Sequence, residues 1–327
     1  MPEEKHAAAF DTCEICSSSD WEEVYTGPIR AGSFGKTIDA GLIGGCLGCG
    51  VKRLAEAFCP TTSFYETAEY RSFLDQQLDS ESYFAAHDEL QHFTLEAFWP
   101  RSLRNKTVLD VGCGAGSFLD HIRSIAGRVV AIEPCTAYHR DLRGRGIDVW
   151  SYASEFAQGF GKGQIDYAFA LQVIEHVADP CEFLKEIRPL MRDDGLLIIS
   201  TPNSDDILMH LLPDDFPKFF FRAVHRWYFD MTSLSHCAEL AGFEIVAKQH
   251  VHRYGLSNTL QWLRDRVPSG HQRLQSITPL ADDFWKAYLE AAGQSDNLYI
   301  FLSPSSNGPA KGSSGSVGRV TAQPVLD

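Results

Sequence analysis

No block of lysine or arginine occurs anywhere in the 327 residues, and 29 basic side chains face 43 acidic ones, a formal charge of −14 at pH 7. A surface of that sign repels phosphate backbones, so nucleic acid is not an expected partner. Also missing is any apolar run near the roughly 20 residues that cross a bilayer. The stretch Met1 to Phe10, MPEEKHAAAF, lacks the basic start and long apolar centre of a secretory signal. A soluble, cytoplasmic chain with no membrane partner is therefore expected, and no internal repeat is found. Nine cysteines are an odd number and come without an export signal, which favours thiols and thiolates over disulfides. With 44% hydrophobic residues the chain can bury one good core and carry a smaller module.

What is present falls into four texture zones. Residues 1–60 contain Cys13, Cys16, Cys46 and Cys49, with short strand-like stretches and glycine-rich turns between them, the pattern of a small ribbon. Residues 61–100 form a polar, aromatic-rich stretch predicted to be helical, a possible substrate cap, ended by Pro100. Over 101–304 short apolar runs alternate with helical patterns, at 107–111, 129–132, 147–150, 165–171, 196–200, 243–247 and 297–302. That alternation predicts an α/β fold with a parallel sheet and helices on both faces. Phe118, Leu119 and Ile122, then Phe183, Leu184, Ile187, Leu190 and Met191, have helical spacing between strands. Gly195 and Gly242 stand where a helix C-terminal cap belongs. Residues 251–295 exceed an ordinary loop and are expected to form a helical lid or dimer element; the glycine- and serine-rich 305–327 are expected to be a disordered tail.

The first strand of the alternating region runs Val108-Leu109-Asp110-Val111 into Gly112-Cys113-Gly114-Ala115-Gly116 and then toward a helix. Glycine lets a backbone turn sharply and approach a ligand closely, because no Cβ intervenes. The spacing is GxGxG and not the GxGxxG of a pyrophosphate-binding dinucleotide site, which disfavours a nicotinamide dehydrogenase. The next strand ends in Ala131-Ile132-Glu133-Pro134, which puts a carboxylate where it can accept hydrogen bonds from both ribose hydroxyls of a nucleoside. A tight turn with a capping acid is the alternative reading of the same residues.

Taken in order, VLDVGCGAGSFL, VVAIEP, IDYAFALQVIEHVADP and LLIISTPN resemble the class I methyltransferases that use S-adenosylmethionine (SAM), over about residues 100 to 250. The likeness is greatest to the group containing ubiquinone-biosynthesis O-methyltransferases and bacterial sugar methyltransferases. It implies a Rossmann-like sheet of seven strands with the last antiparallel, a place that NLYIFL at 297–302 fits. It implies that Asp110 and the backbone at Gly112, Gly114 and Gly116 hold the methionine end of SAM. By the same likeness Glu133 binds the ribose, and Leu171 and Gln172 pass near the adenine or the methionyl group.

Methyl transfer from a sulfonium is an in-line displacement, so the enzyme contributes chiefly positioning, with a base when the acceptor is a hydroxyl. Glu175-His176 follows the fourth strand beside the cofactor; His176 is the candidate base and Glu175 the acid that orients or polarises it. The bland alternative makes the acid a helix cap and the imidazole a packing group. Ubiquinone-type relatives carry a further acid three residues before the EH acid, and that cluster can bind a divalent metal; here Gln172 stands there, a weaker ligand. His225 and the His250/His252 pair are further ionisable candidates, Tyr65 and Tyr70 candidate substrate contacts, and Cys113 and Cys181 buried small hydrophobes.

Two CxxC pairs, Cys13/Cys16 and Cys46/Cys49, supply four thiolates, the set that encloses a tetrahedral zinc with no open position and hence a structural role. A zinc ribbon ahead of a SAM domain resembles bacterial nucleotide-sugar C-methyltransferases. The chain departs from them by stopping soon after its seventh strand, so oxygen or nitrogen methylation is at least as expected as carbon methylation. The resulting expectation is a methyltransferase for a small polar acceptor such as a sugar, nucleotide sugar or glycan precursor, acting as monomer or homodimer. A phenolic or natural-product O-methyltransferase and an inactive SAM-binding partner protein are the alternatives; the intact cradle, Asp110 through Glu133, favours an active enzyme over the last.

Overall fold

The computed structural model describes residues 10–32, 36–67, 69–74, 79–98 and 101–305. Eleven strands are described: β1 (Trp21–Arg30), β2 (Thr37–Cys46), β3 (Lys52–Leu54), β4 (Thr107–Val111), β5 (Arg128–Ile132), β6 (Asp148–Trp150), β7 (Ile165–Leu171), β8 (Met191–Pro202), β9 (Trp227–Tyr228), β10 (Phe243–Val251) and β11 (Asn297–Pro304). Seven make one sheet in the order β10-β11-β8-β7-β4-β5-β6. Strand β4 pairs in parallel with β5 and β7, β5 with β6, and β7 with β8, whereas β11 runs antiparallel to both β8 and β10. This is the expected α/β, Rossmann-like sheet with its last strand reversed.

The central strands are apolar on both faces because helices cover both: Val108, Leu109, Ala168, Phe169, Ile198 and Ile199 are fully buried. One covering helix, Ser117–Ile122, buries Phe118, Leu119 and Ile122; another, Pro180–Ile187, buries Leu184 and Ile187 and is capped by Asp179, which accepts from the Glu182 amide. Leu190 and Met191 fall beyond that helix, in a short 3-10 turn and at the start of β8. Gly242 takes φ 85° just after the helix Met231–Leu240, as a helix stop requires. The expected cap at Gly195 is corrected: that residue lies within β8, where a Cβ would come 2.9 Å from the Ile165 carbonyl oxygen, so glycine is there for close strand approach.

The second sheet has the order β1-β2-β3-β9. β1 and β2 form an antiparallel hairpin, Trp21 opposite Cys46 and Arg30 opposite Thr37. β9 belongs to the segment following β8, yet it pairs with β3 in the ribbon, Arg53 opposite Trp227. Cys13, Ile15, Cys46 and Val51 accordingly share one core with Trp227, Phe229 and the buried face of the large sheet. The ribbon is stitched to the larger sheet and not hung on a linker.

Short helices occupy the connector, at Thr62–Glu66, Glu69–Phe73, Ser80–His87 and Gln91–Phe98. Between β10 and β11 the helices Leu256–Asp265 and Pro279–Ala292 form the expected helical insertion, and its Trp262 and Leu289 pack on Ile207, Leu208 and Phe216. Among the described residues no helix is long and apolar enough to cross a membrane. The tail from 306 onward, like Trp99 and Pro100, lies outside the described residues.

Candidate active site

A cavity of about 850 Å³ opens at the carboxyl ends of β4, β5 and β7, lined by Asp110, Gly112, Glu133, Leu171 and Gln172. That position is where open α/β sheets bind ligands, and the volume suits a cofactor with a small acceptor. Gly112, Gly114 and Gly116 have φ of 75°, 55° and 85°, a conformation that side chains resist. Space enforces the same choice: a Cβ on Gly112 would lie 2.6 Å from Val173, and one on Gly114 would lie 2.4 Å from the Tyr83 hydroxyl.

Glu133 Oε2 accepts from the Gly114 amide at 2.7 Å and Oε1 from the Cys135 amide at 2.8 Å. These bonds fix the carboxylate between the glycine turn and the loop after β5 and leave each oxygen a further lone pair. Burial pushes both the Glu133 and Asp110 carboxyls up, and the Glu133 charge adds to the effect on Asp110. Two desolvated carboxyls side by side gain from a cationic ligand, and SAM carries both an ammonium and a sulfonium. The residues present therefore fit SAM: acceptors for ribose and ammonium, and a glycine turn that no Cβ obstructs. Tyr83 and Arg71 also line this end of the cavity, with the guanidinium 4.7 Å from the Tyr83 ring centre. Neither residue belongs to a recognisable motif, because both come from short helical turns with little amphipathic pattern.

Gln172 closes the floor in an αL conformation, φ 57°. Its Nε2 donates to Asn297 Oδ1 at 3.0 Å and Ser200 Oγ at 3.2 Å, which ties the ends of β7, β8 and β11 together.

His176 and His225 face one another at 4.8 Å between ring centres, edge to face, and both line the cavity with Glu175, Tyr65 and Tyr70. His176 Nδ1 lies 2.7 Å from the Val224 carbonyl oxygen, so Nδ1 carries the proton and Nε2 the free lone pair. Desolvation lowers this imidazole to about 3, which keeps it neutral at physiological pH. Tyr65 donates its hydroxyl to the same Val224 carbonyl at 2.6 Å, and the Tyr65 and Tyr70 rings lie edge-on to His176 at 5.3 and 5.7 Å.

Glu175 is 1% exposed and does not hold His176 as expected; the Val224 carbonyl does. Its Oε2 accepts from Thr201 Oγ1 at 3.0 Å while Oε1 has no hydrogen-bond partner, and burial raises the acid to about 7. Arg226 and Trp227 donate backbone amides to the Glu175 carbonyl at 2.8 and 3.1 Å. Burial, then the nearby Arg222 charge, pushes His225 well below its ordinary range, and its Nε2 lies 3.2 Å from Arg222 Nη1. A second potential ligand cluster, Glu175, His176 and His225, has its donor atoms within 4.8 Å of one another. The His250/His252 pair stands apart from the main cavity: His250 meets Ser295 Oγ at 3.1 Å and His252 accepts from the Asp296 amide at 3.0 Å. Cys113 and Cys181 are buried, as expected of small hydrophobes.

The four ribbon cysteines bring their sulfurs within 4.8 Å of one another, Cys16 to Cys46 at 3.4 Å and Cys13 to Cys49 at 3.8 Å. Zinc–sulfur bonds of about 2.3 Å in a tetrahedron place sulfurs about 3.8 Å apart, so the four thiols fit a structural zinc. Hydrogen bonding among the thiols draws Cys46 down and pushes Cys13 up, so the sulfurs share their protons.

Residues 84–248 match the family model described as "Methyltransferase domain". The chain belongs to that family. Within it, this is a class I SAM-dependent methyltransferase, with the strand order and the glycine turn after β4 that go with that class. Similar curated proteins include the ubiquinone biosynthesis O-methyltransferase of Dinoroseobacter shibae, 28% identical over 192 residues that cover 55% of this chain and 76% of the relative. The protein of the same name from Azorhizobium caulinodans is 28% identical over 48% of this chain and 66% of its own length; for Caulobacter vibrioides the figures are 32%, 30% and 41%. Beyond the first, then, the chain spans less than two thirds of these relatives. A SAM-dependent methyltransferase from Archaeoglobus fulgidus has a TM-score of 0.48 at 17% identity, covering 68% of this chain and 97% of that one.

Proposed function

We propose that the methyltransferase acts on a small polar acceptor, a sugar, nucleotide sugar or glycan precursor, with His176 as the base that receives the acceptor's hydroxyl proton. The observation that supports the reading is an imidazole held neutral and pinned at Nδ1 by the Val224 carbonyl, in a residue that lines the same cavity as the glycine cradle. SAM, when bound, supplies the electrophilic methyl. Glu133 and Asp110 hold its ribose and ammonium ends, and the glycine turn lets the backbone approach. Tyr65 and Tyr70 shield His176 from bulk water and shape the acceptor side, while His225 and Arg222 supply polar contacts opposite. Removal of a proton from a positioned hydroxyl contributes about 10²–10⁴ in rate. A screen of sugar and nucleotide-sugar acceptors, following SAM conversion to S-adenosylhomocysteine, tests the reading; turnover confined to apolar phenols overturns the acceptor class. That second reading, a phenolic hydroxyl, is favoured by the names of the curated relatives and by the aromatic rings of Tyr65, Tyr70 and Phe93 along the cavity wall.

A further inference from the structure

A smaller chamber of about 240 Å³ lies behind the main cavity, and Gln172, Arg222, His225 and Arg253 line both. Its remaining walls combine Arg30 with the aromatic groups Phe216, Phe219, Phe220 and Trp262, below the helical insertion. Arg30 arrives from the end of β1, held by backbone hydrogen bonds to Phe221 and Ala223 of 2.9 Å each, and its guanidinium lies 4.5 Å over the Phe219 ring.

The charges around this chamber do not cancel. Arg30 Nε is buried without a hydrogen-bond partner, and among the described residues no carboxylate lies within ion-pair distance of Arg30 or Arg222. Of the two acids on the walls, Asp296 is taken by Arg253, Nε to Oδ2 at 2.6 Å. The other, Asp206, caps the Leu208 amide and is raised by burial to about 8, so it is largely protonated at neutral pH. His225 and His252 are both pushed down by burial and stay uncharged. Burial, with the neighbouring Arg222 charge, lowers even Arg30 to about 9. Removing guanidinium groups from water with no carboxylate beside them is costly unless an anion completes the site.

We propose that the chamber between Arg30 and Arg222 binds an oxyanion carried by the methyl acceptor, a phosphate ester or a carboxylate, and so presents the acceptor's hydroxyl to His176. Planar guanidinium forks suit such groups, and the chamber has room for one with a few attached atoms. The proposal rests on the reading of the main cavity as the methyl-transfer site.

The test uses the full-length, zinc-loaded protein with bound S-adenosylhomocysteine. Calorimetry and thermal shift are run with inorganic phosphate and with acetate, each against chloride at equal ionic strength, and SAM affinity is measured in parallel. Saturable binding of phosphate or acetate is expected, weakened at least tenfold in Arg30→Gln and in Arg222→Gln, with SAM affinity within twofold of wild type. The preferred anion separates phosphate-ester from carboxylate acceptors. Arg30→Gln should melt no lower than wild type in chloride, because it removes an unpaired charge, and Arg30→Lys should retain part of the binding. Normal SAM binding without a saturable anion response, or a response indifferent to Arg30→Gln, overturns the proposal and leaves the methyltransferase reading intact. Loss of SAM binding in the wild type overturns that reading, whatever the anion result.

Discussion

His176 Nδ1 and the carbonyl oxygen of Val224 are 2.7 Å apart, and this single contact fixes which imidazole nitrogen is free for chemistry. Val224 is brought there by the segment between β8 and β9, which also carries Arg222 and His225. His176 and the carbonyl that holds it therefore come from different connections of the sheet. His176→Gln should lower kcat by about 10²–10⁴ while leaving the SAM dissociation constant within a few fold. Tyr65→Phe removes the other hydrogen bond to Val224 and should cost less, about tenfold or under. Steady-state kinetics beside calorimetric SAM titration separates the two roles; an equal loss of SAM affinity in His176→Gln would make the imidazole a cofactor-pocket residue instead.

The second prediction concerns pH. A histidine lowered to about 3 remains neutral from pH 5 to 9, so protonation of His176 should place no limb near 6.5 on the kcat/KM profile. Beside His176, burial raises Glu175 to about 7. Below about 4.5 it is protonated both folded and unfolded; between about 4.5 and 7 only the unfolded chain ionises, so its contribution to stability is lost as pH rises through that window. Glu175→Gln keeps an acceptor for Thr201 and should raise the melting temperature at pH 8 more than at pH 5. Any kcat/KM limb near 7 should disappear in that variant. A thermal-shift series across pH, run beside the activity profile, checks both parts.

If Glu133 meets the ribose, cofactor binding should depend on it in two ways, through its own lone pairs and through its hold on the Gly114 and Cys135 amides. Glu133→Ala should weaken SAM at least 100-fold, about 3 kcal/mol, and Glu133→Gln by less because one amide contact survives. Asp110→Asn should weaken SAM as well if the carboxylate meets the ammonium. Isothermal titration decides; unchanged affinity in Glu133→Ala would remove the ribose role.

Gly114 can be tested against its neighbour. A methyl group there meets the Tyr83 hydroxyl at 2.4 Å and its ring at 2.6 Å, and φ 55° adds a left-handed penalty of about 1 kcal/mol. Gly114→Ala should lose SAM binding, and Tyr83→Ala added to it should recover part of the loss by removing the clash. A double-mutant cycle with no coupling between the positions would show that backbone strain alone is responsible.

Strand order, glycine turn, the acid at the end of β5 and the cysteine quartet were readable in the sequence because each is a local pattern: an apolar run, a spacing, a pair of CxxC turns. Leu109, Phe169 and Ile198 sit in runs too short and too apolar to be anything but central strands. The partners of the site residues were not readable. Val224 acts through its carbonyl, which has no side-chain signature, and Thr201 and Asn297 reach Glu175 and Gln172 only once three strand ends meet. Arg30 and Arg222 are far apart in sequence and become neighbours because the end of β1 hydrogen-bonds to the segment before β9. Gly195 misled because a glycine before a strand and a glycine inside one look alike without the strand opposite.

That stitching would give a zinc held by the four ribbon cysteines a consequence beyond the ribbon. Cys46 ends β2, β2 pairs with β3, and β3 pairs with β9, where Trp227 donates Nε1 to the Val177 carbonyl at 2.9 Å and its amide to the Glu175 carbonyl. Arg53 adds a link, with its guanidinium 5.3 Å from the Trp227 ring and 2.9 Å from Glu14. A chain of contacts thus runs from the four sulfurs to the residue before His176. The glycine cradle lies beyond it, on β4 and β5. Cys46→Ser should therefore release zinc, measured as close to one equivalent per chain in the wild type, and lower the melting temperature. In protein that remains folded, kcat should fall at least tenfold while SAM affinity changes no more than about threefold. Metal analysis, SAM calorimetry and turnover on the same preparations give the comparison. If zinc is lost and kcat is not, β9 holds Glu175 and His176 in place without help from the metal.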